Sequence, residues 1–236
     1  MAVIAVRRFG SGVPRRATRP VGSPPTRPAA SALRDATWRP SGPQLARLTA
    51  GLVLFGFGEA LLVLSKLGNS PWTVLASGVS EQTGMAIGTA TILISVVVLL
   101  IWIPLREQPG FGTIANAVVI GLAIDATLAV LSPPSASAPA VRVLLVALGI
   151  GLVGLGSGLY INAALGRGPR DGLMTAIHHR TGRPIALVRT VIEVSVLVAG
   201  IALGGLFGPA TIAFALLIGP SVHLALHLLP ASSRAA

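Results

Sequence analysis

The chain of 236 residues has no cysteine. That excludes disulfides, thiolate chemistry and cysteine-ligated iron–sulfur clusters, and it leaves the redox compartment open. Charge is scarce too: 11% of residues are charged, where an ordinary soluble domain carries about 25%. Acids are the rarest, 7 Asp plus Glu against 18 Lys plus Arg, and aromatics make up only 4%. What is abundant is apolar: 53% of residues are hydrophobic and mean hydropathy is +0.80. A soluble enzyme and a disordered chain are excluded, and an all-α polytopic membrane protein is predicted.

The net charge of +11 does not point to nucleic acid. Nine arginines, Arg7, Arg8, Arg15, Arg16, Arg19, Arg27, Arg34, Arg39 and Arg47, precede residue 48, with Asp35 as the only acid among them. This is a basic tail rather than a folded basic face, so no nucleic-acid partner is expected. Such tails mark a cytoplasmic end and can touch anionic headgroups. Arg7-Arg8-Phe9 is followed by no nearby apolar region, which discards a twin-arginine signal. The Arg/Ser-rich, acid-poor composition is shared with organelle transit peptides. Frequent Pro and Gly from Gly10 to Pro43 argue against a helix, so 1–46 is assigned as a disordered cytoplasmic extension.

Beyond it, six stretches reach the ~20 residues that cross a hydrocarbon core: 47–66, 86–105, 111–131, 143–164, 185–206 and 209–229. Two less apolar segments, Pro71–Thr83 and Pro169–Thr181, are long enough for three helical turns and too short to span. A shift of 98 residues superimposes the two halves without a gap. Leu67-Gly68-x-x-Pro71 falls on Leu165-Gly166-x-x-Pro169, Thr83-Gly84 on Thr181-Gly182, and Thr113-Ile114-Ala115 on Thr211-Ile212-Ala213. About 27 of 81 positions are identical, and matched Gly, Pro and Thr at one offset are not a by-product of membrane composition. The organisation read from this is a membrane repeat at 47–131, an external linker at 132–142, a second repeat at 143–230 and a C-terminal cytoplasmic tail at 231–236.

Three spans per copy make the second copy enter the bilayer from the opposite side, a three-plus-three inverted repeat. Charge placement agrees. With both termini in the cytoplasm, the loop 165–184, carrying Arg167, Arg170, Arg180 and Arg183, is inside, while its counterpart 66–85 carries Lys66 and Glu81 outside.

Within each copy the Gly/Pro element comes first as a candidate site: Gly68, Pro71 and Trp72, then Gly166, Gly168, Pro169, Arg170, Asp171 and Gly172. A short helix after such a break is compatible with re-entry into the membrane, aiming amide dipoles at the midplane, and equally with a connector lying flat on the leaflet. Trp72 is expected at the membrane interface. Ionisable or amide residues inside spans are the second group: Glu59, Asn116, Asp125, Asn162, Arg189, Glu193 and His223. Arg189 and Glu193 share a helix face, and Asp125 and His223 are repeat equivalents. Glu59, Asp125 and Glu193 are candidate proton or cation sites, with His223 as a relay. Glu59 and Asp125 can also be read as snorkelling near a span end. The His178-His179 pair lacks a third ligand, so no metal is expected. Gly154-x-x-x-Gly158 reads as a close helix-packing face. No catalytic constellation is visible, so neither enzyme activity nor a cofactor is expected.

The segment Gly166-Arg167-Gly168-Pro169-Arg170-Asp171-Gly172-Leu173-Met174 resembles the signature loop of the YczE/YyaS/YitT group of bacterial integral membrane proteins, and Leu67-Gly68-x-x-Pro71-Trp72 is similar to the corresponding first-copy element. The resemblance covers about 45–230. It implies a bacterial plasma membrane location and, for some members, a supporting role in secondary-metabolite production.

The leading expectation is a small secondary transporter whose site lies between the repeats, handling a small solute or a proton or cation, with a homodimer as a possible assembly. The alternative is a scaffold or regulatory partner that transports nothing, for which a dry, tightly packed repeat interface is expected.

Overall fold

The computed structural model describes residues 38–135 and 138–229. Most of the expected N-terminal tail and all of 231–236 lie outside the described residues. Eight helices of eight residues or more follow in order: α1 Gly42–Ser65, α2 Pro71–Thr83, α3 Ile87–Leu105, α4 Phe111–Val130, α5 Pro139–Asn162, α6 Pro169–Thr181, α7 Ile185–Ala202 and α8 Pro209–Leu228. There is no strand among the described residues. Six of the helices are long and apolar enough to cross a membrane. The other two, α2 and α6, have 13 residues each, about 20 Å at 1.5 Å per residue.

Three expected boundaries need correction. The first helix starts at Gly42 rather than 47, because Ser41 caps it: the Ser41 N–H donates to Gln44 Oε1 at 3.0 Å, and Pro43 occupies the first turn, where its missing N–H leaves nothing unpaired. The fourth span begins at Pro139, inside the stretch assigned to the linker, for the same reason. The fifth ends at Ala202, short of 206, because the chain turns through Gly204 at φ +87. There Gly205 lies against the Val74 carbonyl, where a β-carbon would not fit.

At the centre α1 packs along α5. A β-carbon at Gly51 would lie 2.8 Å from the Gly156 carbonyl oxygen, and one at Gly58 would lie 2.7 Å from that of Gly149. Those two contacts are the same contact with the copies exchanged. Glycine is required because the backbones meet where side chains would stand. The face Gly154/Gly158 meets Ser221 and Ala225 of α8. Around this pair, α4 lies on α1 as α8 lies on α5, and α2 packs on α7 as α6 packs on α3.

The loops before α2 and α6 are joined to the opposite copy by matched bonds. Ala210 N–H donates to the Leu67 carbonyl at 3.0 Å, and Gly112 N–H to the Leu165 carbonyl at 2.8 Å. Gly68 and Gly166 hold φ of +120 and +125, a region open only to glycine. Each has a threonine hydroxyl of the other copy, Thr211 or Thr113, where its β-carbon would be. The identities read from the sequence are thus the residues of this joint.

Candidate functional site

A cavity of about 270 Å³ lies between the copies. Its lining draws on the starts of both short helices (Ser70, Pro71 and Trp72; Gly168, Arg170 and Asp171) and on α1, α4, α5, α7 and α8. Phe55, Val153, Met174, Phe214 and Ile218 give it apolar walls, and Glu59, Asn116, Arg189 and Glu193 reach it from the long helices.

Glu59 is 1% exposed. Its Oε2 accepts the Ser70 and Thr73 hydroxyls, each at 2.8 Å, so the start of α2 is fixed on α1. Its Oε1 is buried without a hydrogen-bond partner. The snorkelling reading of Glu59 is therefore corrected: the carboxylate is sealed inside the protein.

Arg170 stands with its guanidinium carbon 4.9 Å from the centre of the Trp72 ring. It makes no ion pair within 4.0 Å; among the described residues Arg189–Glu193, at 2.8 Å, is the salt bridge found. Its charge interacts at longer range with Glu59, Asp171 and Glu193. Trp72 is only 6% exposed, which corrects the expectation of an interfacial ring. The indole is buried because it packs with Val98, Trp102 and Leu173 and carries the cation on its face. Asp171 Oδ2 accepts the Tyr160 hydroxyl at 2.5 Å, and Trp102 Nε1 donates to the Pro169 carbonyl at 3.1 Å, holding the start of α6.

The structure brings together Glu59, Asn116, Arg170, Asp171, Arg189 and Glu193, with Pro71, Trp72 and Gly168. Asp125, His223 and Asn162 stand elsewhere. Asp125 binds Gly88 and Thr89, the His223 ring lies against that of His227, tilted by 55° at a centroid separation of 4.3 Å, and Asn162 donates to the Leu229 carbonyl. Gly68, Gly166 and Pro169 build the loop joints, and Gly172 seats the Trp102 ring.

Sequence reasoning missed Tyr160, Ser70, Thr73 and Ser157. The repeat carried the signal, since polar residues of the cavity fall where the copies disagree. Tyr160 matches Leu62, Glu59 matches Ser157, Arg170 matches Trp72, Asp171 matches Thr73, Arg189 matches Thr91, and Glu193 matches Ser95.

The copies also disagree in packing. Helices α3 and α4 lie tightly together: Gly88 meets the Gly121 carbonyl and Gly121 the Gly88 carbonyl, with no room for a β-carbon on either. The matching helices α7 and α8 make no comparable contact, and a β-carbon on Gly219, the equivalent of Gly121, would meet nothing within 4 Å. The cavity is lined from both sides of that open seam, by Arg189 and Glu193 and by Gly219 and Val222.

Six apolar spans, five of which line a partly polar cavity, define a multi-pass α-helical membrane protein. The chain belongs to the family of unknown function DUF6198, which matches residues 43–227. It is 40% identical over 202 residues to an uncharacterized protein of Haemophilus influenzae, covering 86% of this chain and 92% of that one. It is 35% identical to the uncharacterized membrane protein YczE of Bacillus subtilis (72% and 79% covered) and 30% identical to the uncharacterized protein YyaS of the same organism (74% and 88% covered). No solved structure matches.

Proposed function

We propose that the protein is a small-solute permease of the bacterial plasma membrane, an inverted three-plus-three repeat with both termini in the cytoplasm. One observation carries this reading: a cavity with ionisable walls lies between the copies, and of two seams made equivalent by the repeat, the one that lines the cavity, α7–α8, is open and the other, α3–α4, is zipped. In that topology the zipped α3–α4 seam, at Gly88 and Asp125, faces outward, and the open α7–α8 seam faces the cytoplasm. The conformation is then an inward-facing one. Exchange of the two seams gives its outward-facing partner, as expected when related halves rock about a shared site.

The short helices support the same reading. The starts of α2 and α6 both line the cavity, and the first turn of α2 is buried in protein, as are Pro169 and Gly172 in that of α6, which suits re-entrant half-helices better than connectors on the leaflet. Three spans in each copy, and the basic inner loop at 165–184 set against its nearly neutral counterpart, support inversion. A scaffold calls for a dry interface between the copies, and a cavity lined by Glu59, Arg170 and Asp171 counts against it.

The test uses the natural absence of cysteine. Ser157→Cys places one thiol in the cavity. Membrane-impermeant thiol reagents, applied to right-side-out and inverted vesicles, should label it from the cytoplasmic face in the conformation described here. A thiol unreactive from both faces would overturn the permease reading.

A further inference from the structure

We propose that the cavity takes up a small organic anion together with a proton, the anion's charged group on Arg170 and the proton on Glu59. This rests on the permease reading and names its substrate class.

Arg170 supplies the anion subsite. One face of its guanidinium lies over Trp72. Its N–H groups are neither hydrogen-bonded nor in an ion pair within 4.0 Å among the described residues, and the side chain lines the cavity. A guanidinium presents five donors in a planar fork that matches a carboxylate. The nearby acids are otherwise engaged: Asp171 holds Tyr160, and Glu59 holds Ser70 and Thr73 through Oε2. Apolar walls of Phe55, Val153, Phe214 and Ile218 fit an organic body better than a fully hydrated inorganic ion.

Glu59 supplies the proton site. Its Oε1 is buried and accepts no hydrogen bond, so a proton arriving with the anion can be taken up there without displacing the Ser70 and Thr73 hydroxyls from Oε2. The charged or titratable groups around it are Arg170 and Asp171 from α6, Tyr160 from α5, and Arg189 and Glu193 from α7. From α2 come only the hydroxyls of Ser70 and Thr73, from α4 the Asn116 amide, and from α8 apolar residues and Gly219.

The charge balance couples the two sites. Arg189 and Glu193 neutralise each other, which leaves Glu59 and Asp171 facing Arg170, one negative charge in excess. An anion alone would make that two, beside a Glu59 carboxylate that is buried. A proton on Glu59 restores the starting balance and frees Arg170 from the Glu59 charge. Each ligand therefore strengthens binding of the other, by the same factor.

Calorimetric titration of the full chain in nanodiscs tests this, with 4-methylpentanoate and benzoate as probes. The controls are isopentylamine, which shares the apolar body of 4-methylpentanoate, and inorganic phosphate. Between about pH 8 and pH 6 the probe acids stay ionised. The carboxylates should bind about tenfold tighter per unit fall in pH while one proton is taken up with the ligand. E59Q should bind them with no pH slope. R170M should not bind them, and R170K should recover part of the affinity.

A pH-independent affinity in the native protein would overturn the proposal. So would a slope that survives E59Q, an amine that binds as well as its matched acid, phosphate binding without carboxylate binding, or no binding by either carboxylate. Failure here is distinct from failure of the permease reading: a Ser157→Cys thiol that reacts from the water without anion binding sinks only the ligand class.

Discussion

Asp125 ties α4 to the start of α3: its Oδ1 accepts the Gly88 N–H at 2.6 Å and its Oδ2 accepts the Thr89 hydroxyl at 2.9 Å. Ninety-eight residues on, the same three positions are His223, Ala186 and Leu187; leucine has no hydroxyl to donate, and the His223 ring lies against His227 instead. The sequence difference between the copies thus coincides with the difference between the closed and the open seam. Asp125→Ala should weaken the α3–α4 seam by about 1.5–3 kcal/mol, the range for charge-assisted hydrogen bonds. Asp125→Asn should lose less, because the amide oxygen can still accept one donor. Thermal unfolding of the two variants in detergent would rank them, and equal midpoints for Asp125→Ala and the native protein would remove Asp125 from this role.

The glycines of the two seams should respond differently. Gly88→Ala and Gly121→Ala force a methyl group into the opposite backbone, an overpacking that costs about 1–3 kcal/mol or opens the seam. Gly219→Ala has free space here and should leave the melting midpoint of this conformation unchanged. If α7 and α8 close in the other state, the same methyl should impede only that state. Gly219→Ala would then fold normally and stay labelled from the cytoplasmic side.

Tyr160 and Asp171 form the shortest polar contact of the cavity wall. Tyr160→Phe keeps the ring and releases the carboxylate, removing a charge-assisted bond of about 1.5–3 kcal/mol. A freed Asp171 can turn to Arg170 and compete with an anion for it. Carboxylate binding should therefore weaken in Tyr160→Phe, and Asp171→Asn should restore it. Binding that is unaffected by Tyr160→Phe would contradict this.

Arg189 and Glu193 pair on one face of α7, with side chains 51% and 28% exposed. Such i,i+4 pairs contribute only about 0.3–0.5 kcal/mol. Glu193→Gln should therefore shift the melting midpoint little. A large loss of stability would show that the pair buttresses the fold rather than the cavity mouth.

The long apolar runs and the 98-residue offset made most of the fold legible, because length and hydropathy decide a span and paired Gly and Pro decide a turn. Helix starts were harder to read. Ser41 and Pro139 act through capping and first-turn geometry, which apolar density does not register. The site was half legible: Glu59, Arg189 and Glu193 stand out as charges inside apolar stretches, whereas Tyr160 is a single polar atom on a ring. Trp72 looked like an interfacial anchor because its partners, Trp102 and Arg170, are distant in sequence. Asp125 looked equivalent to Glu59, and only contacts across α3 and α4 separate a clamp from a cavity wall.

Exchange of the two seams can be tested with crosslinked cysteine pairs. Thr89→Cys with Asp125→Cys places a thiol pair across the closed seam, and Leu187→Cys with His223→Cys places the equivalent pair across the open one. Each pair is bridged with a short thiol crosslinker in membranes, and a third cysteine at Ser157 is then probed with impermeant reagent from each side. Labelling should be cytoplasmic with the first bridge and external with the second. Labelling from the same side in both, or a second pair that never bridges, would contradict the exchange.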